Sequence, residues 1–212
     1  MEPTDRYDEE LWEERYRART SVWSGRPNPQ LVAEASDLPA GRALDVGCGE
    51  GADALWLASR GWRVTAVDFA TTALQRAAEH AEALGAEVAA RVDWVHANLT
   101  AWEPPREHFD LVSAHFMHLP REDRQALFAR LADAVAPGGS LLIVGHHPSD
   151  LETTVRRPRD PGLLYTAEEV AADLDGDVWN VLVTDVRPRA AMDAEDREVA
   201  IHDAVLLAHR GR

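Results

Sequence analysis

The chain of 212 residues predicts an α/β fold: a doubly wound, seven-stranded sheet, mostly parallel with an antiparallel edge strand and helices on both faces. Three observations predict it. From Arg42 onward, short apolar runs alternate with helical stretches, the pattern of strand–helix–strand units. The first run ends at Asp45 and passes into glycines at every second position, Gly47, Gly49 and Gly51. A second run, Val64–Val67, also ends in an acid, Asp68. Strand, glycine-rich turn, helix, strand and acid make a nucleotide-binding half of such a sheet.

Each element has a local reason. Residues 8–19 place Leu11, Trp12, Arg15, Tyr16 and Arg19 on one side at helical spacing. Gly25, Pro27 and Pro29 then break regularity, and residues 30–38 suit a short helix. Strands are expected at Ala43–Val46, Arg63–Val67, Val92–His96, Phe109–Ser113 and Ser140–Val144. Helices are expected at Ala52–Arg60, Thr72–Leu84 (stopped by Gly85), Arg121–Ala136 and Ala167–Leu174. Pro137-Gly138-Gly139 reads as the turn into the fifth strand. Val178–Val186 and Ala200–His209 have only a turn-like linker between them and should pair antiparallel. The stretch from Arg156 to Gly162, RRPRDPG, reads as a mobile loop.

Composition sets limits. One domain, 1–212, is the simplest division, with a helical N-terminal lid over 1–41 and a core over 42–212. Thirty-seven acids against 22 bases give a formal charge of −15, which repels phosphate backbones and disfavours nucleic acid. Cys48 is the sole cysteine, so no intrachain disulfide can form and a reducing compartment is expected. The charged first 20 residues lack the apolar centre of a signal peptide, and no run suits a membrane span. The expectation is a cytoplasmic monomer or homodimer with no membrane partner.

The glycine loop narrows the ligand. A dinucleotide fingerprint is G-x-G-x-x-G, with pyrophosphate at the helix N-terminus. Here the spacing is G-x-G-x-G, and Asp45, Glu50 and Asp53 surround the anion position. A ligand with a cationic end and no phosphate tolerates those acids. S-adenosylmethionine, with its ammonium and sulfonium, fits that description. Cys48 could be read as a nucleophile, but a small side chain in a tight turn is the simpler reading.

The segment ALDVGCGEG resembles the first motif of class I S-adenosylmethionine-dependent methyltransferases, whose core is Rossmann-like. Pro137–Gly139 before a strand is a further match to that family. The whole chain, from W-x-x-x-Y and WSGRPNP to HDAVLLAHR, resembles small bacterial members of the tellurite-resistance and thiopurine S-methyltransferase-like group. The resemblance implies cofactor contacts from Asp45, Gly47, Cys48, Gly49 and Gly51. It implies that Asp68 accepts both ribose hydroxyls and that Phe69 packs on the adenine. Asn98 stands where the family has an acid near the adenine amino group, with Leu99 beside it. Ser113 and His115, at the end of the fourth strand, complete the expected cofactor set.

The methyl acceptor belongs at the carboxyl ends of the strands near the switch point. The loops Ser113–Pro120 and Gly145–Asp150 lie there and carry His115, His118, His146 and His147. Metal binding is disfavoured, because adjacent His146 and His147 diverge in extended chain and no cysteine supports them. His146 is the candidate general base, and His115 a cofactor-side contact. A structural role is the alternative for each, with His118 capping the following helix. Trp12, Tyr16, Trp23 and Arg26 are expected on the lid, with His118 and His147 toward the substrate.

The expected reaction is direct in-line displacement onto a small acceptor such as a thiol or chalcogen, leaving S-adenosylhomocysteine. Two alternatives stand beside it: a non-catalytic S-adenosylmethionine-binding regulator, and an O- or N-methyltransferase of a natural product. A nicotinamide-dependent enzyme would need phosphate contacts that the acidic loop does not offer.

Overall fold

A computed structural model describes residues 9–155, 157 and 160–212. Two helices, α1 (Glu9–Arg17) and α2 (Pro29–Ala35), precede the sheet. Then follow β1 (Arg42–Val46), α3 (Ala52–Ser59), β2 (Arg63–Asp68), α4 (Thr71–Leu84), α5 (Ala86–Ala89), β3 (Val92–His96) and β4 (Phe109–His115). The second half contains α6 (Arg121–Ala134), β5 (Val135–His146), α7 (Ala167–Ala171), β6 (Trp179–Met192) and β7 (Glu198–Arg210). The seven strands lie in the order β3-β2-β1-β4-β5-β7-β6. The first five are mutually parallel, and β7 runs antiparallel to both β5 and β6 between which it inserts.

This order places the topological switch beside β1. Its neighbours β2 and β4 leave it in opposite directions, which opens a crevice above their carboxyl ends. Successive residues of the central strands enter different cores, as strand alternation requires. Leu44, Val112 and Ile143 pack on one face with Leu127 and Leu131 of α6 and Val170 of α7. Ala43, Leu111 and Leu142 pack on the other with Leu31 of α2, Leu57 of α3 and Leu74 of α4. Burial on both faces explains the near-continuous apolar runs of β4 and β5.

Several boundaries differ from expectation. The segment Pro137-Gly138-Gly139 lies inside β5, which starts at Val135. A register break between Phe109 and Leu111 accommodates it, and a Cβ on Gly139 would sit 2.9 Å from the Phe109 carbonyl. Helix α7 is shorter than expected, fixed at its start by a Thr166–Glu169 capping box. Strand β6 runs on to Met192, because β7 pairs with it as far as Glu198. In the expected loop, Asp160 caps a short turn at Pro161–Leu163, whereas Arg156, Pro158 and Arg159 lie outside the described residues. Among the described residues no helix is long and apolar enough to cross a membrane.

Candidate functional site

The loop after β1 is tied to β2 before it turns. The Gly47 and Cys48 N–H groups both donate to the Val67 carbonyl, at 2.8 and 3.1 Å. Gly47, Gly49 and Gly51 have φ of +70°, +52° and +85°, so the alternate spacing reflects a left-handed residue at every second step. Gly49 is also crowded: a Cβ there would lie 2.9 Å from the Tyr16 hydroxyl. Gly51 then starts α3.

Asp68 closes β2 and faces this loop. Its Oδ2 accepts the Gly49 N–H at 2.8 Å and its Oδ1 accepts the Ala70 N–H at 2.9 Å. Burial raises its pKa, against these backbone bonds. Asp45 is deeper, 2% exposed, and its Oδ2 is buried without a hydrogen-bond partner. Burial, and then the Asp53 charge, hold Asp45 well above the usual carboxylate range. Asp53, at the start of α3, accepts the Asn28 N–H at 2.6 Å and meets His115 Nδ1 at 2.7 Å. Burial disfavours charge on His115, but the Asp53 bond and the charges of Asp53 and Asp45 raise its pKa overall.

The N-terminal segment is fastened onto the loop by Glu50. Its carboxylate accepts the Val22 and Trp23 N–H groups, each at 3.1 Å, and an Arg76 Nη1–H at 2.9 Å. Arg76 Nη2 in turn donates to the carbonyls of Tyr16 and Arg19. Trp23 Nε1 donates to the Tyr16 hydroxyl at 2.9 Å, and Trp12 lies 6.0 Å from the Trp23 ring. An aromatic wall therefore covers Gly49, with the Arg15 guanidinium 4.7 Å above Trp12.

Residues 43–139, which hold this loop, both acids and the switch-point strands, match a family model described as a methyltransferase domain. A protein of Arabidopsis thaliana named "Probable thiol methyltransferase 2" is 31% identical over 136 residues, 62% of this chain and 59% of that protein. The trans-aconitate 2-methyltransferase of Rhizobium meliloti (strain 1021) is 34% identical over 149 residues, 69% of this chain and 52% of that one. The match and these relatives support a class I S-adenosylmethionine-dependent methyltransferase. The chain spans little more than half the length of these curated relatives, 59% and 52%. A structure solved for work on "Conversion of a Disulfide Bond into a Thioacetal Group during Echinomycin Biosynthesis" superposes with a TM-score of 0.73 at 25% identity. That superposition covers 95% of this chain and 92% of the other.

The methyltransferase loop fits S-adenosylmethionine on its own chemistry. The Asp68 oxygens accept backbone N–H groups, Gly49 on one and Ala70 on the other, and a carboxylate so held can still accept ribose hydroxyls. The unpartnered Asp45 Oδ2 suits a ligand that brings a cation. The Asp53 charge, which already opposes ionisation of Asp45, disfavours a pyrophosphate in the same place.

Other expected contacts fall differently. Phe69 is 7% exposed and packs with Tyr16, Ala70 and Ala73, beneath the N-terminal segment. Asn98 is exposed, and its Oδ1 already accepts from the Thr100 N–H and hydroxyl. The Leu99 side chain is fully buried in the core under α6, so only its backbone can approach a ligand. Ser113 is equally buried and points its hydroxyl at the Leu44 carbonyl inside the sheet. Cys48 is packed against α3, and burial pushes its thiol well up, so it is a structural residue and not a nucleophile.

The histidines need the largest revision. His118 does not cap α6; Pro120 occupies that cap and offers no side-chain bond. His118 instead stacks on His146 at 4.6 Å and 16°. Burial, then His118, Arg157 and Arg189, push His146 down to about 2, which makes it a poor proton acceptor at neutral pH. His147 is engaged in its own turn, its Nδ1 accepting the Ser149 N–H at 3.2 Å. Arg26 is exposed and forms no ion pair among the described residues. Sequence reasoning missed Met117, which packs against Gly47, and the Glu50–Arg76 fastening. Residue 76 carried no local signal, since its partners lie 26 and 60 positions away.

Proposed function

We propose that this protein transfers the methyl group of S-adenosylmethionine to a small-molecule acceptor. The observation that carries the reading is the pair of acids at the glycine loop: Asp68 fixed by the Gly49 and Ala70 N–H groups, and Asp45 buried with an open oxygen. When bound, the cofactor supplies a methyl group already activated on a sulfonium. The chain then has to bind, align and exclude water, which together supply most of the acceleration. In the division we adopt, residues 42–212 form the catalytic core and 1–41 the lid, with Glu50 holding the lid shut.

The acceptor we favour is a thiol or a similarly soft nucleophile. Its lone pair forms the new bond to the methyl carbon as the carbon–sulfonium bond breaks. That bond's electron pair stays on sulfur, giving S-adenosylhomocysteine, and the thiol proton leaves to water. Likeness to a protein named as a thiol methyltransferase supports this choice. The trans-aconitate relative keeps an oxygen acceptor as the second reading. The low basicity of His146 favours an acceptor that is already ionised over one that needs a base.

The test is a panel of thiols, halides, phenols, carboxylic acids and amines with methyl-labelled cofactor. A labelled methyl thioether is the expected product. Tight cofactor binding with no labelled product from any acceptor would contradict the proposal.

A further inference from the structure

The crevice beyond β4 and β5 carries three features that the sheet itself does not require. Phe116, a bulky aromatic, holds φ +57°, a state that such residues rarely adopt and that gathers at functional sites. Its ring lies 4.6 Å from His146 and 6.1 Å from His118. His118 Nε2 and His146 Nδ1 are buried and have no hydrogen-bond partner, which native structures allow only seldom.

The third feature is charge. Arg189 reaches over the Phe116 ring at 5.7 Å. Its Nε is held 3.0 Å from both oxygens of the buried Asp203, and among the described residues its two Nη groups make no hydrogen bond. Arg124, 5% exposed, donates to the Leu119 and Gly162 carbonyls, and no carboxylate bonds it among the described residues. Arg157 is paired with Asp150. The two acids facing this region, Asp203 and Asp150, are thus already engaged by arginines, whereas donors remain open. Burial and these arginines keep both imidazoles neutral, His118 pushed down to about 4. A cation would meet this field unfavourably. An anion would find guanidinium and imidazole N–H donors.

We infer that this end of the crevice holds a negatively charged group of the methyl acceptor, through the open Nη edge of Arg189 and the unpartnered nitrogens of His118 and His146. The inference rests on the methyl-transfer proposal and narrows it: the acceptor is a small anion, such as a carboxylate-bearing thiol, and not an amine. Arg189 and the two histidines act as positioning and specificity residues.

Three thiols that differ in charge test this: 3-mercaptopropionate, 2-mercaptoethanol and cysteamine, compared at equal thiolate concentration. The expected kcat/KM for 3-mercaptopropionate exceeds that for 2-mercaptoethanol by about tenfold, the scale of one charge-assisted hydrogen bond, with cysteamine lowest. In Arg189→Gln, and in the double variant His118→Phe/His146→Leu, that ratio should collapse toward one. The double variant leaves no buried charge unpaired, and S-adenosylmethionine affinity serves as the folding control in both. A second arm measures 3-mercaptopropionate binding to protein loaded with S-adenosylhomocysteine by tryptophan fluorescence, with binding about tenfold weaker expected in both variants. Turnover without charge preference overturns the anion site and leaves methyl transfer standing. Charge-selective binding without turnover supports the anion site and overturns methyl transfer. A preference that survives both variants overturns the assignment of these residues.

Discussion

Beside β1 and β2 the crevice is lined by acids, Asp45, Asp53 and Asp68; beyond β4 and β5 it is lined by His118, His146 and arginines. Each region buries two titratable groups away from their charged form: Asp45 and Asp68 in the first, His118 and His146 in the second. Asp45 and Asp68 are pushed up and His118 and His146 down, by burial first in each case. Open partners differ in the same sense: an acceptor oxygen on Asp45, and open donors around Arg189. On the proposed reading, one crevice separates a place for a cationic donor molecule from a place for an anionic acceptor. Association of opposite charges across such a site would also bring the reacting atoms together, with little need for a base.

The largest effect that should break this contrast is Asp68→Ala. It removes the acceptor proposed for two ribose hydroxyls and releases the Gly49 N–H from its anchor. We expect cofactor affinity to fall about 100-fold by calorimetry, on the scale of two charged hydrogen bonds. Affinity within threefold of the parent would refute the assignment of Asp68.

The pH dependence of stability should have opposite signs in the two regions. For His118 and His146 the folded pKa lies below the unfolded value, so their contribution is present above about 6.5 and is lost as pH falls toward their folded values. Acidifying from pH 7.5 to 5 should cost about 2 kcal/mol or more by denaturant titration, and His118→Phe/His146→Leu should remove most of that slope. For Asp45 the folded value is raised, so its contribution is present at low pH and is lost as pH rises from the ordinary carboxylate range to its folded value. Asp45→Asn should flatten that opposite slope. An unchanged acid slope in the histidine variant would place the titrating groups elsewhere.

Glu50→Gln should have a smaller effect, because the side chain can still accept one N–H bond. Loss of its charged bonds to Val22, Trp23 and Arg76 should cost about 1–2 kcal/mol and speed tryptic cleavage at Arg17 and Arg19. The smallest effect concerns His146. If it were a general base, kcat/KM would fall off below its pKa; with that pKa near 2, no His146 limb should appear between pH 5 and 8. A limb in that range that His146→Gln abolishes would restore the base.

Much of the donor region was legible in the sequence because its causes are local. Alternate left-handed glycines, an acid ending each of two apolar runs, and Gly85 stopping α4 are written within a few residues of one another. The seven strands, one of them antiparallel to its neighbours, followed from the same periodicity. The acceptor region was not legible, because its chemistry depends on which side chains meet across the sheet. Leu99 and Ser113 occupy family positions, yet one points into the core and the other at β1. His118 and His146 are 28 positions apart, and nothing in either neighbourhood predicts that they stack or that Arg189 from β6 stands over Phe116. Glu50 was visible only as a charge unfavourable to phosphate, whereas its larger role is to fasten residues 22 and 23.

The most direct test of the central claim is calorimetric titration of the protein with S-adenosylmethionine and, separately, with NAD. The account predicts saturable micromolar binding of S-adenosylmethionine, lost in Asp68→Ala, and no detectable heat from NAD. Binding of NAD in preference to S-adenosylmethionine, or equal S-adenosylmethionine binding by the parent and Asp68→Ala, would contradict it.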